Sequence, residues 1–169
     1  GTPFFVYLAP NTPHSPFIAP PEDKEIISEL MNVSDFSDLE PAIKSRLISY
    51  LAMVRNIDTN FGKLIRFLQD NGLFENTILI FTTDNGSTQG PDYYNANMRG
   101  RKAELYEGGH RVPLFISWPE GISNTPRDID GLTQAQDLLP TLIDLCCLKE
   151  PKSVKFDGLS LAEVLKGKK

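Results

Sequence analysis

Cysteine is nearly absent from these 169 residues: the two present, Cys146 and Cys147, are neighbours inside an apolar run. Adjacent thiols offer neither a disulfide framework nor zinc-finger spacing, so the sequence predicts buried free thiols there. Positive charge is also short, with 17 Lys and Arg against 22 Asp and Glu and a net charge of -5. That balance excludes a general nucleic-acid or polyanion binder, although Arg99, Arg101, Lys102, His110 and Arg111 form a local basic cluster suited to one small anion. No apolar run reaches the roughly 18 residues needed to cross a bilayer, and GTPFFVYLAP carries neither a basic leader region nor a cleavage pattern. No membrane partner is therefore expected. Internal repeats are missing, and without a Gly-x-Ser-x-Gly elbow Thr82, Thr83, Ser87 and Thr88 have no support as nucleophiles.

What is present reads as one mixed domain with a core of ordinary size. Phe4 to Ala9 predicts a buried strand, and so apolar a beginning is expected of a piece of something longer. The loop PNTPHSPFIAPP follows, its five prolines precluding continuous helix or central strand. From Pro41 to Asn71 apolar residues recur at helical spacing, with Pro41 at the start and Asn71-Gly72 at the stop. TILIFTT, residues 77–83, predicts a strand covered on both faces, and Val112 to Trp118 another strand. Between those two strands, residues 84–111 are too polar for core and too long for an idle connection. The tail predicts a helix around Asp137 to Leu148 and a short one near Leu159 to Leu165. Helices interleaved with buried strands imply an α/β fold, a mostly parallel or mixed sheet flanked by helices, with ligands at the carboxyl ends of strands.

Asp84 and Asn85 fall at such an end. Asp-Asn-Gly is common turn chemistry, yet a carboxylate beside an amide oxygen also supplies two hard ligands for Ca²⁺ or Mg²⁺, the remainder coming from elsewhere. His14, between two prolines, reads either as a surface histidine or as a proton donor or anion ligand. Lys102 reads as part of a solvated basic patch or as the charge that neutralises a bound oxyanion. Asp58, on the apolar stripe of the long helix, is expected to be a structural carboxylate bonded to a neighbouring loop. Asp92, Tyr93, Tyr94 and Asn95 offer polar and aromatic contact suited to a sugar.

Several segments in order carry a resemblance: YLAPNTPHSPFIAP, then YLAMVRNIDTNFGKLIRFLQDNGLFENTILIFTTDNG, then MRGRKAELYEGGHRVPLFISWP, then DLLPTLIDL and FDGLSLAEVLKG. Together they resemble the later part of the catalytic domain of the formylglycine-dependent sulfatases, within the alkaline phosphatase superfamily. The resemblance spans nearly all of residues 1–169, weakest over 22–40, and implies a partial sulfatase catalytic domain of incomplete alkaline phosphatase-like fold. It implies that Asp84 and Asn85 help bind one Ca²⁺, that His14 lies near the scissile ester oxygen, and that Lys102 contacts the sulfate group. Asn85 stands where two-metal phosphodiesterase relatives commonly carry histidine, which favours sulfatase over that alternative.

Two departures accompany the resemblance. The family makes its formylglycine from a Cys/Ser-x-Pro-x-Arg motif, which these residues do not contain, and the paired aspartates that complete the calcium site are missing as well. The expected activity is hydrolysis of sulfate esters, those of sulfated carbohydrates among the candidates, with this stretch alone inactive. The resemblance also implies a secreted, periplasmic or lysosomal enzyme. Readings from other classes are a calcium or glycan-binding module and a structural domain without activity.

Overall fold

The computed structural model describes residues 2–32, 36–122, 125–150 and 153–167. The element order is α1 (Pro21–Asn32), α2 (Pro41–Asp70), β1 (Leu79–Thr82), α3 (Glu107–His110), β2 (Leu114–Ser117), α4 (Leu138–Leu145) and α5 (Ala162–Leu165), with a 3₁₀ turn at Ala135–Asp137. Two compact units result: residues 1–67 with 86–110, and residues 68–85 with 111–169.

The first unit is built on α1 and most of α2. The Glu40 carboxylate accepts hydrogen bonds from the amides of Ala42 and Ile43, both 3.1 Å, and Pro41 occupies the first turn, where its missing N–H costs nothing. Leu47, Ala52 and Met53 are buried along α2 and Met31 on α1. A polar clamp joins the two helices. Asp23, only 3% exposed, accepts from the Arg55 guanidinium and, at 2.8 Å, from Asn56 Nδ2. This clamp gives a buried carboxylate the partners it requires. Asp58 is not that carboxylate: it is exposed on α2, and the buried carboxylate that joins the helices is Asp23.

In the second unit α2 ends in a Schellman arrangement. Gly72 at φ 64° lets its own amide reach Gln69 O at 3.0 Å and the Leu73 amide reach Leu68 O at 2.8 Å. β1 and β2 then pair antiparallel, with Leu79 opposite Ser117 and Thr82 opposite Leu114. Leu145, Ala162 and Leu165 form the core of this unit, and Ile78, Ile116, Trp118, Ile122 and Leu161 pack against them. α4 is stitched to the tail before α5 by polar groups. Asp137 accepts from the amides of Gln134 (2.9 Å) and Leu159 (2.8 Å), and Thr141 Oγ1 donates to Asp137 O while accepting from the Leu161 amide.

Several expectations need correction. Phe4 to Ala9 is not a strand, and its side chains are exposed, Tyr7 by 81%. β-branched and aromatic composition stabilises a strand only through a paired neighbour, and among the described residues none pairs with this one. β1 is half-buried rather than covered on both faces, and Phe115 of β2 is 67% exposed, because the packed core lies on one side of the ribbon. Cys146 and Cys147 are exposed, not buried. They follow the last buried position of α4, Leu145, and Cys147 takes φ 52° to close the helix.

Candidate active site

Each of the four site candidates is held by local backbone geometry. Asp84 and Asn85 follow β1 after one residue, Thr83, within the second unit. Asp84 is exposed and Asn85 half-buried, and Asn85 Nδ2 donates to Asp84 Oδ2 at 2.5 Å. The amide nitrogen faces the carboxylate because two facing oxygens would repel. Thr83 Oγ1, donating to Asn85 O at 3.4 Å, braces the turn.

His14 and Lys102 belong to the first unit. The His14 loop turns through a 2.8 Å bond from its own amide to Asn11 O, between cis peptides at Thr12-Pro13 and Ser15-Pro16. His14 Nδ1 lies 2.8 Å from Ser15 O. A carbonyl can only accept, so Nδ1 carries the proton and Nε2 is the nitrogen offered outward. Downstream, Phe17 meets Tyr50 of α2 edge-on at 5.9 Å, fixing the loop to the helix.

The Lys102 segment is set by glycines packed backbone to backbone. A Cβ on Gly86 would stand 1.9 Å from Gly108 O, one on Gly108 2.0 Å from Gly100 O, and one on Gly109 2.2 Å from Glu104 O. Only glycine permits such approach. The Gly86 amide bonds Gly109 O at 3.0 Å, the Gly108 amide bonds Arg99 O at 2.8 Å, and the Lys102 amide bonds Ser87 O at 3.3 Å. Ser87 Oγ donates in turn to Tyr50 Oη at 3.1 Å and accepts from the Gln89 amide at 3.0 Å. Residues 84–111 are thus a folded loop whose order comes from main-chain contacts.

Within this basic segment the cations have different occupations. Arg99 lies over the Tyr106 ring, 3.6 Å from its centroid. Arg101 pairs with Asp92, and the hydrogen bond and charge of that carboxylate raise its pKa further above its ordinary value. The Lys102 ammonium, half-buried, is committed to no other side chain or carbonyl among the described residues. Of the residues expected to meet a sugar, Asp92 is therefore spoken for by Arg101. Asn95 is structural, its Nδ2 donating to Met98 O and Gly100 O at 2.8 and 2.7 Å. Tyr93 leans edge-on against Phe36 at 5.7 Å, whereas Tyr94 stands 81% exposed.

A family model described as Sulfatase matches residues 1–146. The chain belongs to the sulfatase family. It is 34% identical over 168 residues to the uncharacterized sulfatase YdeN of Escherichia coli K12, covering 99% of this chain and 28% of that protein. Among solved structures it is similar to Ps i-CgsB, crystallised in complex with k-i-k-neocarrahexaose, with a TM-score of 0.80, 30% identity and coverage of 98% of this chain and 34% of that one. It is also similar to BT4656 in complex with its substrate D-glucosamine-2-N,6-O-disulfate, at a TM-score of 0.57, 27% identity, and coverage of 85% and 28%. The chain thus spans about a third or less of the lengths of these relatives. Their fold is the α/β architecture of the alkaline phosphatase-like enzymes, of which the helices and ribbon seen here are one part.

For a sulfatase, the donor set can be tested against calcium. Asp84 and Asn85 bring oxygens of the hard type Ca²⁺ takes, and their adjacency at a strand end is compatible with sharing one ion, provided Asn85 turns Oδ1 in place of Nδ2 toward it. Two ligands fall short of the six to eight oxygens usual for Ca²⁺. Among the described residues no cluster of three His, Cys, Asp or Glu side chains completes the set. The pair fits as a partial site. Sequence reasoning put these four residues forward as candidates and missed the glycine contacts that fix Lys102. The spacing of Gly86, Gly100 and Gly108-Gly109 around one polar loop was the available signal.

Proposed function

We propose that this chain contributes Asp84, Asn85, His14 and Lys102 to the active site of a sulfuric ester hydrolase that cleaves sulfate esters of carbohydrates. The reading rests on one observation above the others: in a loop matched to the sulfatase family, Arg101 is paired with Asp92 and Arg99 is stacked on Tyr106, while the Lys102 ammonium has no partner among the described residues.

In this reading calcium, when bound by Asp84 and Asn85 with ligands from segments outside these residues, supplies positive charge against the sulfate oxygens. A formylglycine, also from outside them, supplies the nucleophilic oxygen. The chain's own residues do the rest. Lys102, a compact point charge on a loop fixed by its own main chain, neutralises an equatorial sulfate oxygen as charge accumulates there. With Nδ1–H kept on Ser15 O, His14 acts as an acid in its imidazolium form, whose second proton, at Nε2, passes to the departing alkoxide. The sulfated ligand named with one relative supports a carbohydrate substrate, and the family supports a secreted, periplasmic or lysosomal enzyme.

The test begins with the reading frame upstream of Gly1. A frame encoding paired acidic residues and then Cys/Ser-x-Pro-x-Arg yields an enzyme in which Lys102→Ala should lower kcat/KM for a sulfate ester by about 10²–10³-fold, with unchanged folding. A frame without that motif removes the hydrolase assignment, and an enzyme indifferent to Lys102→Ala removes the role given to Lys102.

A further inference from the structure

Beside the His14 loop the first unit carries two cavities, of about 490 and 500 Å³, that share Ser45 and Ser49 and so form one trough along the start of α2. Its cations are Arg46 in the first cavity and Lys24 and Lys44 in the second, and no carboxylate is among the described residues lining either. Carboxylates stand at the rim of the second cavity, Asp38 accepting from the Ser37 hydroxyl and Glu40 capping the start of α2. Arg46 is held with its guanidinium 5.5 Å from the centroid of Phe17, a contact that leaves its N–H groups available in their own plane. Lys44 is anchored to Asn32 Oδ1 at 2.8 Å and Ser37 O at 3.3 Å. Lys24 has no such anchor among the described residues. The lining also carries the hydroxyls of Ser15, Ser45 and Ser49, each able to donate and accept.

We propose that this trough is a subsite for a sulfated oligosaccharide, receiving sugar units beyond the one whose ester is cleaved. The assignment rests on the sulfatase reading above and extends it. Anionic sulfates pair with Arg46 and Lys24, while the serine hydroxyls take the sugar hydroxyls, a division of labour that neither a free anion nor a neutral glycan would use in full. Each cavity is an open surface depression along which a saccharide unit can lie. Ser15 lines the first cavity next in sequence to His14, so a chain seated there runs against the loop that presents the imidazole.

The experiment is calorimetric titration of the chain with three probes: a sulfated carrageenan hexasaccharide, the same hexasaccharide desulfated, and inorganic sulfate. The sulfated hexasaccharide is expected to bind tightest, and Lys24→Gln with Arg46→Gln to weaken it by about tenfold or more. Arg46→Lys, which keeps the charge, should recover part of that loss, and melting curves verify that each variant is folded. Unchanged affinity in the folded double variant overturns the trough, as does equal binding of the desulfated probe or binding no tighter than inorganic sulfate. Lys102→Ala, titrated in parallel, separates the two assignments. If it alone abolishes binding, the trough is refuted while the ester site stands; if the double variant loses binding and Lys102→Ala keeps it, the trough stands without the Lys102 role.

Discussion

Thr141 is 2% exposed and is the hinge of the polar stitching in the second unit, so replacing it with valine should expose how much that stitching contributes. Valine keeps the shape and removes the hydroxyl. The wild-type Oγ1 donates to Asp137 O at 2.6 Å and accepts from the Leu161 amide at 2.8 Å. Without it the Leu161 N–H has no acceptor in a partly buried place, a loss of about 1–3 kcal/mol, offset slightly because the hydroxyl no longer needs desolvation. A net cost of about 2 kcal/mol lowers Tm by about 4–8 °C for a chain of this size. Thr141→Ser keeps both hydrogen bonds and should lose only about 0.8 kcal/mol for the missing methyl group. Thermal unfolding gives the magnitude, and hydrogen exchange at the Leu161 amide gives the location, since that amide should lose protection in Thr141→Val and retain most of it in Thr141→Ser. A valine variant that melts with the wild type and protects the Leu161 amide equally would refute the idea that this hydroxyl holds the tail to α4.

Two further outcomes follow from backbone geometry. Cys147 adopts φ 52° at the position where helices usually place glycine, with the Leu148 amide bonded to Ile143 O at 2.8 Å. Cys147→Gly relieves the β-carbon and should stabilise the chain by about 0.5–1 kcal/mol in denaturant unfolding, whereas an unchanged midpoint would mean that the cap carries no strain. Gly108→Ala pushes a β-carbon to 2.0 Å from Gly100 O, which is backbone and cannot swing away. It should cost about 1–3 kcal/mol and shift the Lys102 amide resonance, and a variant that does neither would show the loop to be looser than its contacts imply.

Legibility in the sequence tracked the range of the interaction responsible. α2 could be read almost to the residue, because its apolar period, Pro41 at the start and Asn71-Gly72 at the end are all local signals. β1 and β2 were found by composition, but not their half-exposure, which depends on where α4 and α5 lie. α1 escaped notice. Its ties to α2 are Asp23 reaching Arg55 and Asn56 more than thirty positions away and Asn32 reaching Lys44, and no local pattern announces such pairs. The Phe4–Ala9 segment shows the reverse error, local strand propensity with no partner to satisfy it among the described residues. At the candidate site, His14, Asp84, Asn85 and Lys102 were put forward through a resemblance carried by several segments in order. What the sequence withheld was their setting: the nitrogen that His14 presents, the contacts between glycines, and the partners that occupy the neighbouring arginines.

Those partners bear on how a chain of net charge -5 can hold an anion at all. Net charge sets the far field, but a ligand at hydrogen-bond distance responds to the few cations not already neutralised. Arg55 is matched by Asp23 and Arg101 by Asp92, each losing most of its attraction for anything else. Arg127 is used on the carbonyls of Val164 and Leu165 at the end of α5, where a cation also complements the exposed ends of the peptide dipoles. Arg99 is covered by Tyr106. Among the described cations without a carboxylate or carbonyl partner are Lys102 on its glycine-fixed loop, and Arg46 and Lys24 along the trough beside His14. A basic residue count over 99–111 would rank Arg99 and Arg101 equal to Lys102, whereas the structure ranks Lys102 first because it alone of the three has not been spent on the protein's own architecture.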